Sequence, residues 1–198
     1  MSNLPTPLIT ADDLLRLPEG DDMELVDGRP VMRMLGARAG WLSGQVAYQL
    51  TKFVDEYSGF VFGLGASYHC FPFEPERVRK PSVSYIAPDR LEIHEIPAGH
   101  LTFAPDLVVD ALSPFEPEDE TLRRLHDFLE VNVRLAWLVS PDESSIRVFR
   151  PNGKVSQLGR DDSLNGENVI PGFHCRVADI FDKPEPLESS FLDQLNTS

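Results

Sequence analysis

The segment PDLVVDALSP, residues 105–114, is a nearly continuous apolar run, with the carboxylate of Asp110 in the middle of it. A run of this kind is typical of a strand that is buried on both faces of a sheet. A buried carboxylate is costly unless it is paired with a cation or bound to a metal. Asp110 is therefore either a metal ligand at the centre of a strand or the partner of an arginine, such as Arg124 on the next predicted helix. The residues alone favour neither reading.

The pattern around this run predicts an α/β fold, with a mixed sheet flanked by helices rather than a repeating βαβ chain. We expect one domain over residues 1–198, with a core at about 10–182 and a tail at 183–198. The predicted elements of the N-terminal half are a short helix capped by Thr10 and Asp13, a hairpin at 23–34 around Asp27-Gly28 and a helix at 39–57. One or two strands in 60–73, a strand in 79–86 and a loop at 87–103 follow. After the run at 105–114 we expect a helix at 116–132, strands at 135–141 and 144–153, and a C-terminal loop followed by a helical turn at 177–181.

The charge of the chain bears on its partners. There are 32 acidic and 18 basic residues, and the net charge of -14 disfavours nucleic-acid binding, which depends on Lys and Arg neutralising phosphates. Two small basic clusters, at 77–80 and 122–125, are either ordinary solvated charge or part of a local basic groove. No apolar run approaches the length that spans a bilayer, no secretory signal is recognisable, and the two cysteines suit a reducing cytoplasm.

Other candidate sites have little support in the sequence. Glu24 is acidic between apolar neighbours on the predicted hairpin, and alternation along that strand turns it outward, although it could also join a site. The five histidines show no spacing typical of a zinc site. The chain contains no dinucleotide-binding or Walker-type glycine loop and no GxSxG motif.

The order of five segments resembles a known family. These segments are MELVDGRPV, VRKPSVSYI, PDLVVDALSP, the helix that leads into AWLVSP, and IPGFHCRVADIF. Together they are similar to the bacterial putative restriction endonuclease family, formerly a domain of unknown function, of the PD-(D/E)XK restriction-endonuclease-like superfamily. The resemblance covers about residues 10–182 and implies a restriction-endonuclease-like core with an N-terminal hairpin and a long helix.

The resemblance implies a catalytic site of two acids and one lysine, in which the acids hold Mg²⁺ or Mn²⁺ and the lysine positions or deprotonates water. In this chain the positions of the family's aspartate, glutamate and lysine are Ser82, Asp110 and Arg124. A second possible lysine position is Leu112, and Glu24 can lie near the site. A serine hydroxyl is a poor Mg²⁺ ligand, and an arginine is never deprotonated in proteins.

These substitutions predict a protein that has the nuclease fold without nuclease activity and acts as a binding or interaction module, with a homodimer as its expected state. The alternative is an active, metal-dependent DNA endonuclease that uses Glu24 and Asp110 as metal ligands and Arg124 as a phosphate clamp. A third hypothesis, which rests on charge alone, is an acidic surface that binds a basic protein.

Overall fold

The computed structural model describes helices and strands for residues 8–182. Residues 1–7 and the predicted tail at 183–198 lie outside the described residues. The helices are α1 (Ala11–Leu14), α2 (Ala37–Tyr57), α3 (Glu118–Glu130) and α4 (Val177–Phe181), with short 3-10 helices at Gly20–Asp22 and Ile93–Glu95. The strands are β1 (Met23–Val26), β2 (Arg29–Met32), β3 (Phe60–Phe62), β4 (Val83–Ile86), β5 (Leu107–Ala111), β6 (Leu135–Ser140), β7 (Ser145–Phe149), β8 (Val155–Leu158), β9 (Ser163–Asn165) and β10 (His174–Arg176).

The central sheet has six strands in the order β3-β4-β5-β6-β7-β8. Only β5 and β6 are parallel, and Asp110 lies opposite Leu138 in their register. Parallel neighbours need a crossover connection, which α3 supplies here. The helix that carries Arg124 therefore begins just after the strand that carries Asp110 and packs against it.

The two faces of the sheet are covered by different elements. Leu107, Val109 and Trp137 face a core formed with α2, α4 and the β9-β10 ribbon. Val108 and Leu138 face the opposite core, which contains the apolar side of α3. Because side chains alternate along a strand, Asp110 points to the same face as Val108. All five residues of β5 are buried, which confirms the prediction of a strand covered on both sides.

The β1-β2 hairpin forms a separate ribbon next to α1. Asp27 and Gly28 form its turn with φ angles of 51° and 71°, the positive values that a type I′ turn requires. Leu25 is fully buried against Leu14 of α1 and Val78. The turn and this small cluster fix where β1 lies, and β1 is the strand that carries Glu24.

Most of the predicted elements are confirmed. Thr10 caps α1 through a reciprocal pair of hydrogen bonds with Asp13, and the predicted helix at 39–57 begins two residues earlier, at Ala37. The segment 60–73 is predicted to hold one or two strands, and it contains one, β3. Beyond β3, Tyr68 makes isolated bridges to Arg79 and Leu101.

The C-terminal third contains more strand than predicted. Beyond β7 the chain adds β8, β9 and β10, whereas a loop and a helical turn were expected after residue 153. The missed strands are three or four residues long and mostly polar, so they carry no usable hydrophobic period. Within residues 8–182 no helix is long and apolar enough to cross a membrane, and both cysteines are free thiols.

The hairpin turn provides a test of the fold. Gly28→Ala is expected to lower the free energy of unfolding by about 1–2 kcal/mol, because an L-residue at positive φ is strained. Gly44→Ala is the matched control, since a Cβ at this exposed position of α2 meets no atom within 4 Å. It should raise the free energy of unfolding by about 0.5–1 kcal/mol. Urea denaturation of both variants checks the prediction, and an equal effect at the two positions would contradict it.

Candidate functional site

The site expected from the sequence is assembled around Asp110, which is completely buried. Glu24 from β1, Ser82 from the residue before β4 and Arg124 from α3 all converge on this point and are each at most 2% exposed. The structure therefore brings together all four of the residues that the sequence analysis selected. A fifth residue, Arg33, which directly follows β2, also contacts Asp110.

Asp110 is held by hydrogen bonds from three residues. The backbone N–H of Ser82 donates to Oδ1 at 3.0 Å, and the Ser82 hydroxyl donates to the same oxygen at 2.7 Å. Nη1 of Arg124 donates to Oδ2 at 3.1 Å. Nη2 of Arg33 donates to Oδ1 and also to the Ser82 hydroxyl oxygen, the latter at 3.0 Å. Asp110 therefore pairs with Arg124, and a second arginine, Arg33, joins that pair.

Glu24 is the second buried carboxylate of the site. Its Oε1 accepts from Nε of Arg124 at 2.7 Å and from the backbone N–H of Lys80 at 2.6 Å. Its Oε2 accepts from Nη1 of Arg79 at 2.9 Å. The expectation that alternation turns Glu24 outward is wrong. Both faces of β1 are covered, with Leu25 against α1 on one side and Glu24 against the arginines on the other.

Arg124 links the carboxylates of the site. It contacts Glu24 and Asp110 and also donates through both Nη atoms to Glu116, which in turn accepts from the hydroxyl of Thr121 at 2.9 Å. Burial alone would lower the pKa of Arg124, but the charges of Asp110 and Glu24 outweigh it and hold that pKa well above its ordinary value. The guanidinium is thus permanently charged and cannot act as a base.

A second layer of ion pairs surrounds this centre. Asp127 on α3 accepts from Nε of Arg79 at 2.6 Å and from Nη1 of Arg77 at 2.8 Å. Arg77, Arg79 and Lys80 are all buried. The sequence analysis expected the basic cluster at 77–80 to be either solvated charge or part of a basic groove. Both expectations are wrong, because the basic side chains turn inward to meet carboxylates and carbonyl groups.

The ionisation of Asp110 follows from these contacts. Burial would raise its pKa, since a charged carboxylate is poorly solvated in the interior. The opposing effects of Arg33, Arg124 and the Ser82 hydroxyl are together larger, and they hold the pKa of Asp110 below its ordinary value. Asp110 is consequently ionised at neutral pH although it has no access to solvent.

The residues of the site do not fit a divalent cation. Both oxygens of Asp110 and both oxygens of Glu24 are already occupied by donors, most of them guanidinium groups. Mg²⁺ needs free oxygen ligands in near-octahedral geometry, and Arg33 and Arg124 would repel it. Among residues 8–182 no three or more His, Cys, Asp or Glu side chains are arranged to hold a metal ion.

Arg33 is the residue that the sequence analysis missed. The signal that could have found it is its setting in VMRML, a charged residue inside an apolar stretch, which parallels the setting of Asp110 in LVVDAL. Its side chain is only 5% exposed. Arg33 is separated from Asp110 by 77 positions, so only the folded chain shows that the two form a pair.

The fold and this site define a class of protein: a mixed sheet flanked by helices, in which two buried carboxylates are paired with arginines. A solved structure with this fold is that of a putative nuclease belonging to DUF820 from Anabaena variabilis. It has a TM-score of 0.75 and 21% identity, and the match covers 87% of this chain and 97% of the other.

Comparison with protein families identifies the chain more closely. The chain belongs to the Uma2 family, described as putative restriction endonuclease, which it matches over residues 11–178. The putative restriction endonuclease family predicted from the five sequence segments is thereby confirmed. No curated protein matches the chain.

The buried pairs generate a prediction about stability. Asp110→Asn is expected to lower the free energy of unfolding by about 3–5 kcal/mol, because it leaves buried guanidinium groups without their counter-charge. Asp142→Asn is the matched control: this aspartate pairs with Arg38, but its side chain is 98% exposed, and its loss should change stability by no more than about 0.5 kcal/mol. Urea denaturation at neutral pH measures both. Similar losses in the two variants would contradict the assignment.

The same carboxylate predicts a dependence on pH. The pKa of Asp110 is lower in the folded chain than in the unfolded chain, so its stabilising effect is present above the unfolded value of about 3.9 and is lost as pH falls through the folded value. The stability difference between wild type and Asp110→Asn should therefore be full at pH 5–7 and shrink below about pH 4. Denaturation curves across this range test it, and a difference that grows on acidification would refute it.

Proposed function

We propose that this chain is a member of the putative restriction endonuclease family that no longer hydrolyses phosphodiesters and instead acts as a non-catalytic binding protein. The observation that carries the proposal is that Arg33 and Arg124 both donate to Asp110, the carboxylate at the family's metal-binding position. A carboxylate whose charge is neutralised by two guanidinium groups is not free to hold Mg²⁺ or Mn²⁺.

Two further features support loss of hydrolysis. Hydrolysis of the PD-(D/E)XK type needs a second acid and a base or water-positioning lysine. Ser82 provides a neutral hydroxyl at the acid position, and that hydroxyl donates to Asp110. Arg124 stands at the lysine position and keeps its proton, because its pKa is raised by Asp110 and Glu24. The residues of the site are thus satisfied by one another.

The charge of the chain supports a partner other than DNA. The net charge is -14, and two of the basic residues that could have formed a groove, Arg77 and Arg79, are buried and paired with carboxylates. Each phosphate contact needs an accessible cation, so this arrangement removes much of the electrostatic attraction for a polyanion. DNA is the partner implied by the resemblance, so the experiment must test whether the chain acts on DNA.

A cleavage assay tests the proposal. The wild-type chain, incubated with supercoiled, linear and single-stranded DNA in Mg²⁺ or Mn²⁺, is expected to give no metal-dependent cleavage. Cleavage that disappears in Glu24→Gln and Asp110→Asn, while Asp142→Asn retains it, would overturn the proposal. That result would establish the alternative, an active endonuclease whose metal ligands are Glu24 and Asp110.

A variant designed to gain metal binding tests the reason proposed for the loss of hydrolysis. The combined change Arg33→Ala, Ser82→Asp and Arg124→Lys removes both arginines from Asp110 and adds a carboxylate beside it. We expect this variant to bind Mn²⁺ with micromolar to millimolar affinity, measured by calorimetry, whereas the wild type should not bind. Arg38→Ala is a suitable control, since that arginine is exposed and pairs with Asp142. Equal Mn²⁺ binding by wild type and the triple variant would contradict the explanation.

A further inference from the structure

A cavity of about 750 Å³ lies beside the site and shares Arg33 with it. Two cations of the buried cluster, Arg33 and Lys80, form part of its wall. Its remaining lining consists of two acidic residues and a group of mostly apolar ones: Asp21, Asp22, Met32, Met34, Leu35, Leu64 and Gly65. Its volume is in the range typical of small-molecule sites.

Arg33, which lines this cavity, has unused hydrogen-bonding capacity. Its Nη2 donates to Asp110 and Ser82, but Nε and Nη1 are buried and have no hydrogen-bond partner. The nearest carboxylate oxygen to Nη1, Oε1 of Glu24, is 3.9 Å away, which is too far for a hydrogen bond. Buried donors without acceptors are unfavourable, and an acceptor brought by a ligand would relieve this.

Lys80 is the second cation of the cavity wall, and it is only 4% exposed. Its ammonium group donates to the backbone carbonyls of Gly20 at 3.1 Å and Asp21 at 2.6 Å. Among residues 8–182 no carboxylate oxygen lies within 4.0 Å of this ammonium group, so its charge is not directly paired. Burial lowers the pKa of Lys80, and Asp21, Asp22 and Glu24 oppose this only in part.

The rest of the lining restricts the anion that would fit. Met32, Met34 and Leu64 are between 41% and 53% exposed and offer an apolar surface next to the two cations. Asp21 and Asp22 are exposed and disfavour ligands of high negative charge. A singly charged carboxylate with an apolar body satisfies all of these features.

We infer that the cavity lined by Arg33 and Lys80 binds a small monocarboxylate, with the carboxylate on these two cations and its apolar body against Met32, Met34 and Leu64. This inference goes beyond the proposed function and is independent of whether the chain cleaves DNA. It assigns a ligand class to a buried cationic wall that the ion-pair network leaves incompletely satisfied.

Calorimetric titration with hexanoate tests this inference directly. The full chain is titrated in EDTA, so that a divalent cation at Asp110 cannot affect the result. We expect one saturable site with a Kd at or below about 1 mM. Hexanol, which keeps the apolar chain without the charge, and inorganic phosphate, which is an anion without an apolar body, should each bind at least about tenfold more weakly.

Three variants test whether the carboxylate binds in this cavity. Lys80→Met keeps the apolar stem and removes the charge, and it should weaken hexanoate binding by at least about tenfold. Lys52→Met, at an exposed position of α2, is the matched control and should leave the affinity unchanged. Leu64→Glu changes an exposed residue of the cavity lining, so it tests the site even if Lys80→Met does not fold, and it should also weaken binding by about tenfold.

Saturable binding of hexanoate that Lys80→Met or Leu64→Glu weakens and Lys52→Met does not would support the inference. Absence of saturable hexanoate binding to the wild type would overturn it. Tighter binding of phosphate or hexanol would overturn the assignment to a monocarboxylate. Hexanoate binding that is insensitive to Leu64→Glu and to a folded Lys80→Met would place the ligand elsewhere and would also overturn it.

Discussion

The structure depends on how one fully buried carboxylate, Asp110, is neutralised. A charge at the centre of a sheet that is covered on both faces has no access to water, so the surrounding chain must supply its counter-charge. Arg124 comes from the crossover helix that follows the strand, and Arg33 comes from the end of the N-terminal hairpin. Both elements must be in place for the centre to be satisfied. The hairpin, the sheet and α3 are thereby tied together by a single electrostatic requirement.

Arginine side chains and a divalent metal ion are two alternative sources of the positive charge that a buried carboxylate needs. A carboxylate pair that binds Mg²⁺ must leave oxygens open to the ion, whereas here each oxygen of Glu24 and Asp110 already accepts a hydrogen bond. With these contacts in place, the chain has the fold of a solved putative nuclease, at a TM-score of 0.75 and 21% identity. Family membership and fold therefore constrain the architecture, while the contacts of individual side chains decide which chemistry is available.

The sequence predicted what depends on local pattern. The buried strand around Asp110, the hairpin around Asp27-Gly28 and the helix predicted at 116–132 follow from periodicity and turn chemistry, and the structure contains all three. The orientation of Glu24 and the burial of Arg79 could not be predicted, because they depend on contacts across 55 and 48 positions that no local pattern encodes. Arg33 escaped notice for the same reason. Burying a charge is favourable only through its partner, and the partner is identified by the fold.

Titration of Mn²⁺ into the purified chain by calorimetry, with Asp110→Asn as control, tests the central claim most directly. If Arg33 and Arg124 have taken the place of the metal, wild type and variant should give the same heats of dilution and no saturable binding at millimolar Mn²⁺. Saturable binding at one site in the wild type that is lost in Asp110→Asn would show that the carboxylates remain available to a metal. That outcome would contradict the account of this site as a closed network of ion pairs.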